Sequence, residues 1–212
     1  MAMIVRVDDF PCGNERGERE FDAMEALLRF RDALAAPFCL GVVLGPPGTG
    51  YTTREEWQAI CGMPDVTVAF HGWEHRLLTH ETHGALREFR AIMPNCPIVI
   101  PPKNMLDQHV LDMLDTVEWQ VVCTGPETAR CGPLDFRSLT EVPSAFYGTA
   151  QRFNAERPEM APLDCLTLHL TWERRGGKGY PGDAAFGEVR RLGAERGAEI
   201  VPWPQLLVAE DE

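Results

Sequence analysis

Asp8 and Asp9 close the apolar run Met3–Val7, and His71-Gly-Trp-Glu-His75 closes another, Val66–Phe70. Carboxylate and imidazole are donors that the borderline ion Zn²⁺ accepts together, and a catalytic metal site needs about three N or O ligands with one position left open for water. Asp9, His71 and His75 supply such a set. Asp8, left without a ligand role, can take the proton of that water if it lies within hydrogen-bond reach. An Asp-Asp pair alone is commonly a turn or cap feature. Two donor pairs, each at a strand end, carry more weight.

Two other motifs have the outline of a site and lack its working part. His71-x-x-x-His75 has helical i,i+4 spacing, but the Glu of an H-E-x-x-H metalloprotease would stand at position 72, which is Gly72. Glycine there lets the backbone bend between the histidines. Gly45-Pro-Pro-Gly-Thr-Gly50-Tyr51-Thr52 resembles a phosphate-binding loop, yet Tyr51 replaces the lysine that would reach the phosphates. A tight turn leading to a helix capped by Thr52 or Thr53 is the simpler reading.

The remaining histidines differ in setting. His80 and His83 read as a solvated helix start and rival ligands, and His109 falls in an amphipathic helix. His169 interrupts the apolar strand Leu166–Leu170 and needs a hydrogen-bond partner or a function.

Strands are expected over Met3–Val7, Phe38–Leu44, Val66–Phe70, Pro97–Ile100, Trp119–Cys123, Leu163–Leu170 and Ala198–Val201. Helices are expected between them, from about Phe21 to Ala35, through Trp57 and Ile60, from about Gly84 to Met93, Met105 to Val117, and Asp183 to Glu195. Thr124–Pro162, rich in Pro, Gly and polar residues, is expected to form long loops around the site. Alternating strands and helices imply a parallel sheet, open and doubly wound or closed into a barrel. Both put ligands at the carboxyl ends of the strands. Asp8, Asp9, His71, the segment Pro101-Pro102-Lys103-Asn104 and His169 all lie at or just beyond such ends.

With 212 residues, 44% of them apolar, the chain can bury a full core and is expected to be one domain. A net charge of −12 argues against nucleic acid or an anionic membrane surface as a partner. A small neutral or cationic ligand fits better. The basic cluster Arg174-Arg175-Gly-Gly-Lys178 reads as an exposed loop. No signal-peptide pattern and no membrane-length apolar run is present, so a cytoplasmic location is expected. The seven scattered cysteines, with no C-x-x-C, suit reduced thiols.

Taken in order, these motifs resemble those of the polysaccharide deacetylase superfamily, the NodB-homology carbohydrate esterases, and more closely a divergent branch of short deacetylase-like domains. Asp8-Asp9 resembles the first motif, whose first Asp is the general base and whose second binds metal. His71–His75 resembles the second, with both imidazoles on the metal. Ile100-Pro101-Pro102-Lys103 stands in the place of the third, R-x-P-Y, and Leu168-His169 resembles the last, whose His is the general acid.

The resemblance spans positions 8 to 169 and implies a distorted (β/α) barrel of about seven parallel strands. It also implies a divalent metal, Zn²⁺ by its donor set, and removal of an acetyl group from an N- or O-acetylated sugar, a small molecule or an oligosaccharide. Pro102, Lys103 and Asn104, with Trp73 and Trp172 as stacking platforms, are the expected substrate contacts, and a backbone N–H near Lys103 the expected oxyanion donor. Two departures stand out. Ile100 replaces the arginine that supports the catalytic Asp, and the fourth motif has only Asp135 and Arg137 as candidates. The first departure keeps a rival reading open, a non-catalytic domain that binds a carbohydrate or protein.

Overall fold

The structure, a computed structural model, describes residues 2–11, 23–94, 96–148, 152, 156, 164–169, 183–195 and 197–201. Strands β1 (Ala2–Phe10), β2 (Phe38–Leu44), β3 (Val66–Trp73), β4 (Ile98–Val99), β5 (Val121–Thr124), β6 (Thr140–Gly148) and β7 (Asp164–His169) pair in parallel in chain order. Because β1 bonds to β2 on one edge and to β7 on the other, the sheet closes into a barrel of seven strands. A short strand, β8 (Glu199–Ile200), adds to the start of β1 beside Ala2 and Met3.

Parallel neighbours require crossovers, and α-helices supply those from β1 to β5 and from β7 to β8. They are α1 (Ala23–Leu34), α2 (Arg54–Cys61), α3 (His83–Ile92), α4 (Gln108–Thr116) and α5 (Asp183–Glu195). Strand alternation then divides the apolar residues into two sets. Ile4, Cys39, Ala69, Ile98, Ile100, Val121, Cys123 and Cys165 fill the barrel interior. Val5, Leu40, Phe70 and their outward neighbours join Leu27, Phe30, Phe89 and Leu114 from the helices in the surrounding layer. Burial raises the pKa of the Cys39 and Cys123 thiols, and pushes Cys96 up to about 12, so these are unreactive packing groups.

Thr53 is the cap of α2: its hydroxyl accepts from the Glu56 amide (3.3 Å), and the Glu56 carboxylate accepts from the Thr53 amide (2.9 Å). Tyr51, where a phosphate-binding loop would carry lysine, is buried and lies against Gly45. The Gly45–Thr52 segment is a turn between β2 and α2.

The expected long loop over Thr124–Pro162 instead contains β6, nine residues long. Pro143 and the exposed Thr140 and Glu141 hide the strand in the sequence. Its place is set by context, since β5 and β7 both need a parallel neighbour if the barrel is to close, and β6 pairs with each. Cys12, Trp172 and the Arg174–Lys178 cluster lie outside the described residues. Among the described residues no helix is long and apolar enough to cross a membrane.

Candidate active site

Three irregularities of the barrel, two at the carboxyl ends of its strands and one midway along β6, aim side chains into its mouth. The register of β1 against β2 slips between Val7 and Phe10, where Asp9 takes a left-handed φ of 61°. A regular strand would send Asp8 and Asp9 to opposite faces. The bulge lets both serve one site. The pairing of β2 with β3 slips between Val42 and Leu44, opposite Phe70 and Trp73, where Gly72 has φ 87°. Between β6 and β7 the register slips between Ser144 and Phe146, which puts Tyr147 on the inner face opposite Thr167.

Further left-handed residues surround the same mouth: Glu74 (51°), His75 (55°), Lys103 (58°) and Asn104 (50°). Non-glycine residues in this region are strained and persist where the surroundings over-determine them. Gly72 has a second constraint, because a Cβ there would stand 2.6 Å from Pro102 Cγ. Gly72→Ala is expected to cost about 2 kcal/mol, the sum of a left-handed alanine and an overpacked contact. Urea unfolding measures it, and a loss under 0.5 kcal/mol would show that the turn relaxes freely.

Asp9, His71 and His75 each offer a ligand atom, and these atoms all lie within 4.8 Å of one another. His71 Nε2 is 2.8 Å and His75 Nε2 3.1 Å from the same oxygen, Asp9 Oδ1. His71 Nδ1 lies 2.8 Å from the Ile100 carbonyl, to which it must donate, so in the neutral ring Nε2 presents a lone pair to a carboxylate. The buried Nε2 of His75 makes no hydrogen bond among the described residues. Two imidazole nitrogens, that of His71 presenting a lone pair, converge on one carboxylate oxygen, and this N₂O donor set suits a divalent metal. The Ile100 carbonyl is the outer partner that fixes a ligating imidazole's tautomer.

Burial opposes protonation of His71, but its bond to Asp9 and the charges of Asp8 and Asp9 outweigh this and raise its pKa. Burial likewise disfavours the Asp9 carboxylate, yet the His71 and His75 imidazoles at its oxygen hold its pKa well below the usual range. A metal ion entering this set competes with protonation of His71 Nε2, which the raised pKa favours. Zinc uptake near neutral pH is therefore expected to release protons and to weaken as pH falls below the raised His71 pKa. Calorimetry in two buffers of different ionisation enthalpy checks this, and identical heats in both would refute it.

Asp8 sits beside this cluster, 1% exposed, with a partner absent from the sequence reading. Arg6, two residues earlier on the same inward face and 0% exposed, donates from Nε to Asp8 Oδ1 (2.7 Å) and from Nη2 to Oδ2 (2.5 Å). Its Nη2 also reaches Asn104 Oδ1 (2.8 Å), and Nη1 the Thr124 carbonyl (3.3 Å). Burial disfavours the Asp8 carboxylate, but the charges of Arg6 and His71 and the bonds from Arg6 keep its pKa lowered.

His169 is the register partner of Asp8 on β7, and its Nε2 lies 3.6 Å from Asp9 Oδ2. Burial lowers its pKa, partly offset by Asp9 and Asp8. Tyr147, half-buried, meets the His169 ring edge-to-face at 4.7 Å. Burial, with Asp8 and Asp9 adding, raises its pKa, so the phenol stays protonated.

Pro102, Lys103 and Asn104 form a one-turn 3₁₀ segment after β4, in which Lys103 is exposed and Asn104 is 2% exposed. Asn104 bridges Arg6 and Glu127, to which its Nδ2 donates at 3.4 Å. Trp73 is half-buried and stacks on Phe89 of α3 (5.6 Å, 10° between planes), a packing role that accounts for the ring without a substrate. His80 and His109 are exposed, and neither they nor His83 join the Asp9 cluster. Arg137 pairs with Asp112 on α4 (3.0 Å), and the Asp135 carbonyl accepts from Gln108, so both candidates for a fourth motif are engaged with α4.

No protein-family model matches this chain, and no curated protein sequence does. Solved structures do. A T48 deacetylase solved with substrate superposes over 99% of this chain and 92% of its own with a TM-score of 0.59, at 13% identity. The likeness is one of fold: the chain shares its barrel with that deacetylase. A 4-alpha-glucanotransferase from Thermococcus litoralis matches all of this chain with 40% of its own (TM-score 0.53, 9% identity). A family 4 carbohydrate esterase from Streptomyces lividans, in complex with acetate, matches at a TM-score of 0.47 and 15% identity, over 94% of this chain and 91% of its own.

At the mouth of this barrel the sequence reading missed Arg6 and Tyr147. A signal for the first was present: an arginine inside an otherwise apolar strand, at i−2 from Asp8, must share its face. For Tyr147 there was none, because a bulge decides which way it points.

Proposed function

We propose that the protein is a metal-dependent deacylase, removing an acetyl or related acyl group from an N-acetylated sugar or similar amide. The observation that carries this reading is the convergence of Asp9, His71 and His75 at the mouth of a deacetylase-type barrel, with the Arg6-paired Asp8 beside them. Asp9, His71 and His75 hold the ion, with Zn²⁺ favoured by the donor set. A divalent cation there supplies Lewis-acid activation of water and of the acyl carbonyl.

The chain's own groups do the rest. Asp8, kept ionised by Arg6, accepts the proton of the attacking water. The Lys103 amide, in its left-handed turn, is the oxyanion donor, a contribution typically worth about 3 kcal/mol. His169 enters neutral, because burial lowers its pKa, so the proton it passes to the departing amine first reaches it from Asp8, its register partner on the adjacent strand. Pro102 and Asn104 wall the site beside Lys103, and Tyr147 offers a protonated hydroxyl on the β6 side.

The test is elemental analysis of the purified protein together with acetate release from N-acetylated chito-oligosaccharides. About one zinc per chain with release of acetate supports the reading. One zinc without release from any acetylated sugar would leave a binding domain that keeps its metal for structure.

A further inference from the structure

Arg6 is a guanidinium with no exposed surface, in a barrel interior otherwise lined by groups such as Ile4, Cys39 and Val121. A guanidinium keeps its charge at any ordinary pH, so burial on this scale requires partners. Asp8 takes two parallel bonds, one to each carboxylate oxygen, while Asn104 and the Thr124 carbonyl take the outer nitrogens. Such a fork fixes the carboxylate plane as well as its charge.

Position 100 faces the same carboxylate from another strand end. Ile100 is fully buried, and its Cδ1 lies 2.9 Å from the point where a Cβ on Gly41 would stand, a point itself 3.2 Å from Asp8 Oδ1. One carboxylate is thus approached by an apolar side chain after β4 and a cationic one within β1.

We propose that Arg6 is the positioning residue of Asp8, doing from inside β1 what an arginine at position 100 would do from beyond β4. Ile100 then marks a partner moved to another strand, and the site is competent. This inference rests on the hydrolase reading, in which Asp8 accepts a proton.

The experiment uses the full zinc-loaded chain with 4-nitrophenyl acetate as probe, reading zinc content, kcat and KM separately, with the Asp9→Ala protein as background. Arg6→Lys keeps a charge but cannot make the fork, so zinc content and KM should stay at wild-type values while kcat falls about 10- to 100-fold. The exchange variant Arg6→Ile with Ile100→Arg conserves composition and interior volume and restores the fork from the other strand. Its kcat is expected within about tenfold of wild type, a recovery that a purely structural arginine would not give.

An unchanged kcat in folded, zinc-loaded Arg6→Lys overturns the proposal. So does an exchange variant that folds and binds zinc but recovers nothing. A wild-type protein that binds one zinc and does not turn over the probe overturns the compensation while leaving the metal centre standing. A wild-type protein that binds no zinc overturns the hydrolase reading itself.

Discussion

Asp9→Ala is expected to carry essentially no zinc, to release no acetate above background, and to lose the thermal stabilisation that zinc confers on the wild type. Asp9 is the hub of the cluster, since both imidazole nitrogens converge on its Oδ1. Without it two histidines remain, one donor short of the three that catalytic zinc sites use. Free zinc at about 1,000 times its dissociation constant stabilises a one-site protein by about 4 kcal/mol. In a chain of this size that amounts to a rise of roughly 10 °C in Tm.

The variant should show no zinc-dependent rise at the same concentration. Scanning calorimetry with and without zinc, beside elemental analysis, reads both effects. A variant that keeps a full zinc equivalent and most of its Tm shift would move the metal centre away from Asp9. His71→Ala is expected to behave alike, with the Ile100 carbonyl losing its donor as well.

What the sequence made legible follows from where each signal is local. Regular strands such as Phe38–Leu44, buried along their whole length, and helices with one apolar face are read from spacing alone. So is the order of the donor pairs at strand ends, because a parallel α/β sheet presents all its carboxyl ends on one face. β6 was not legible, since a strand with Pro143 and exposed residues is held by its two neighbours and not by its own composition.

The details of the site depend on features with no period. The left-handed turn at Asp9 decides that consecutive acids share one mouth, and the slip near Ser144 decides that Tyr147 faces His169. Arg6 shows a third kind of blindness. A motif comparison looks for an arginine at a place in the chain, whereas Asp8 requires only a guanidinium in reach, and position 6 meets that requirement through strand alternation.

The same pairing gives Asp8→Asn two effects that separate in measurement. The first is on catalysis: a positioned base typically contributes 10²- to 10⁴-fold, so the zinc-loaded variant should keep its metal and lose about 10³ in kcat. The second is on folding. Removing the negative partner leaves a fully buried guanidinium uncompensated, and breaking a buried pair from one side costs about 3–5 kcal/mol. For a domain whose whole stability is of order 10 kcal/mol that is a large fraction, visible as a lowered urea midpoint at unchanged m-value.

The pH dependence follows from the direction of the Asp8 shift. A carboxylate whose folded pKa is lowered adds stability that is present above its unfolded pKa, about 3.9, and is lost as pH falls through the folded value. Asp8→Asn removes that contribution, so its stability near neutral pH should drop most, and the gap to wild type should narrow in acid below about pH 4. A gap that stays constant down to acid pH would mean that Arg6 is held without the Asp8 charge, by partners it already has, such as Asn104 Oδ1. Turnover and stability together then tell the cases apart: a variant that loses kcat but not stability assigns Asp8 to the reaction alone. One that loses stability but keeps kcat would remove Asp8 from the chemistry.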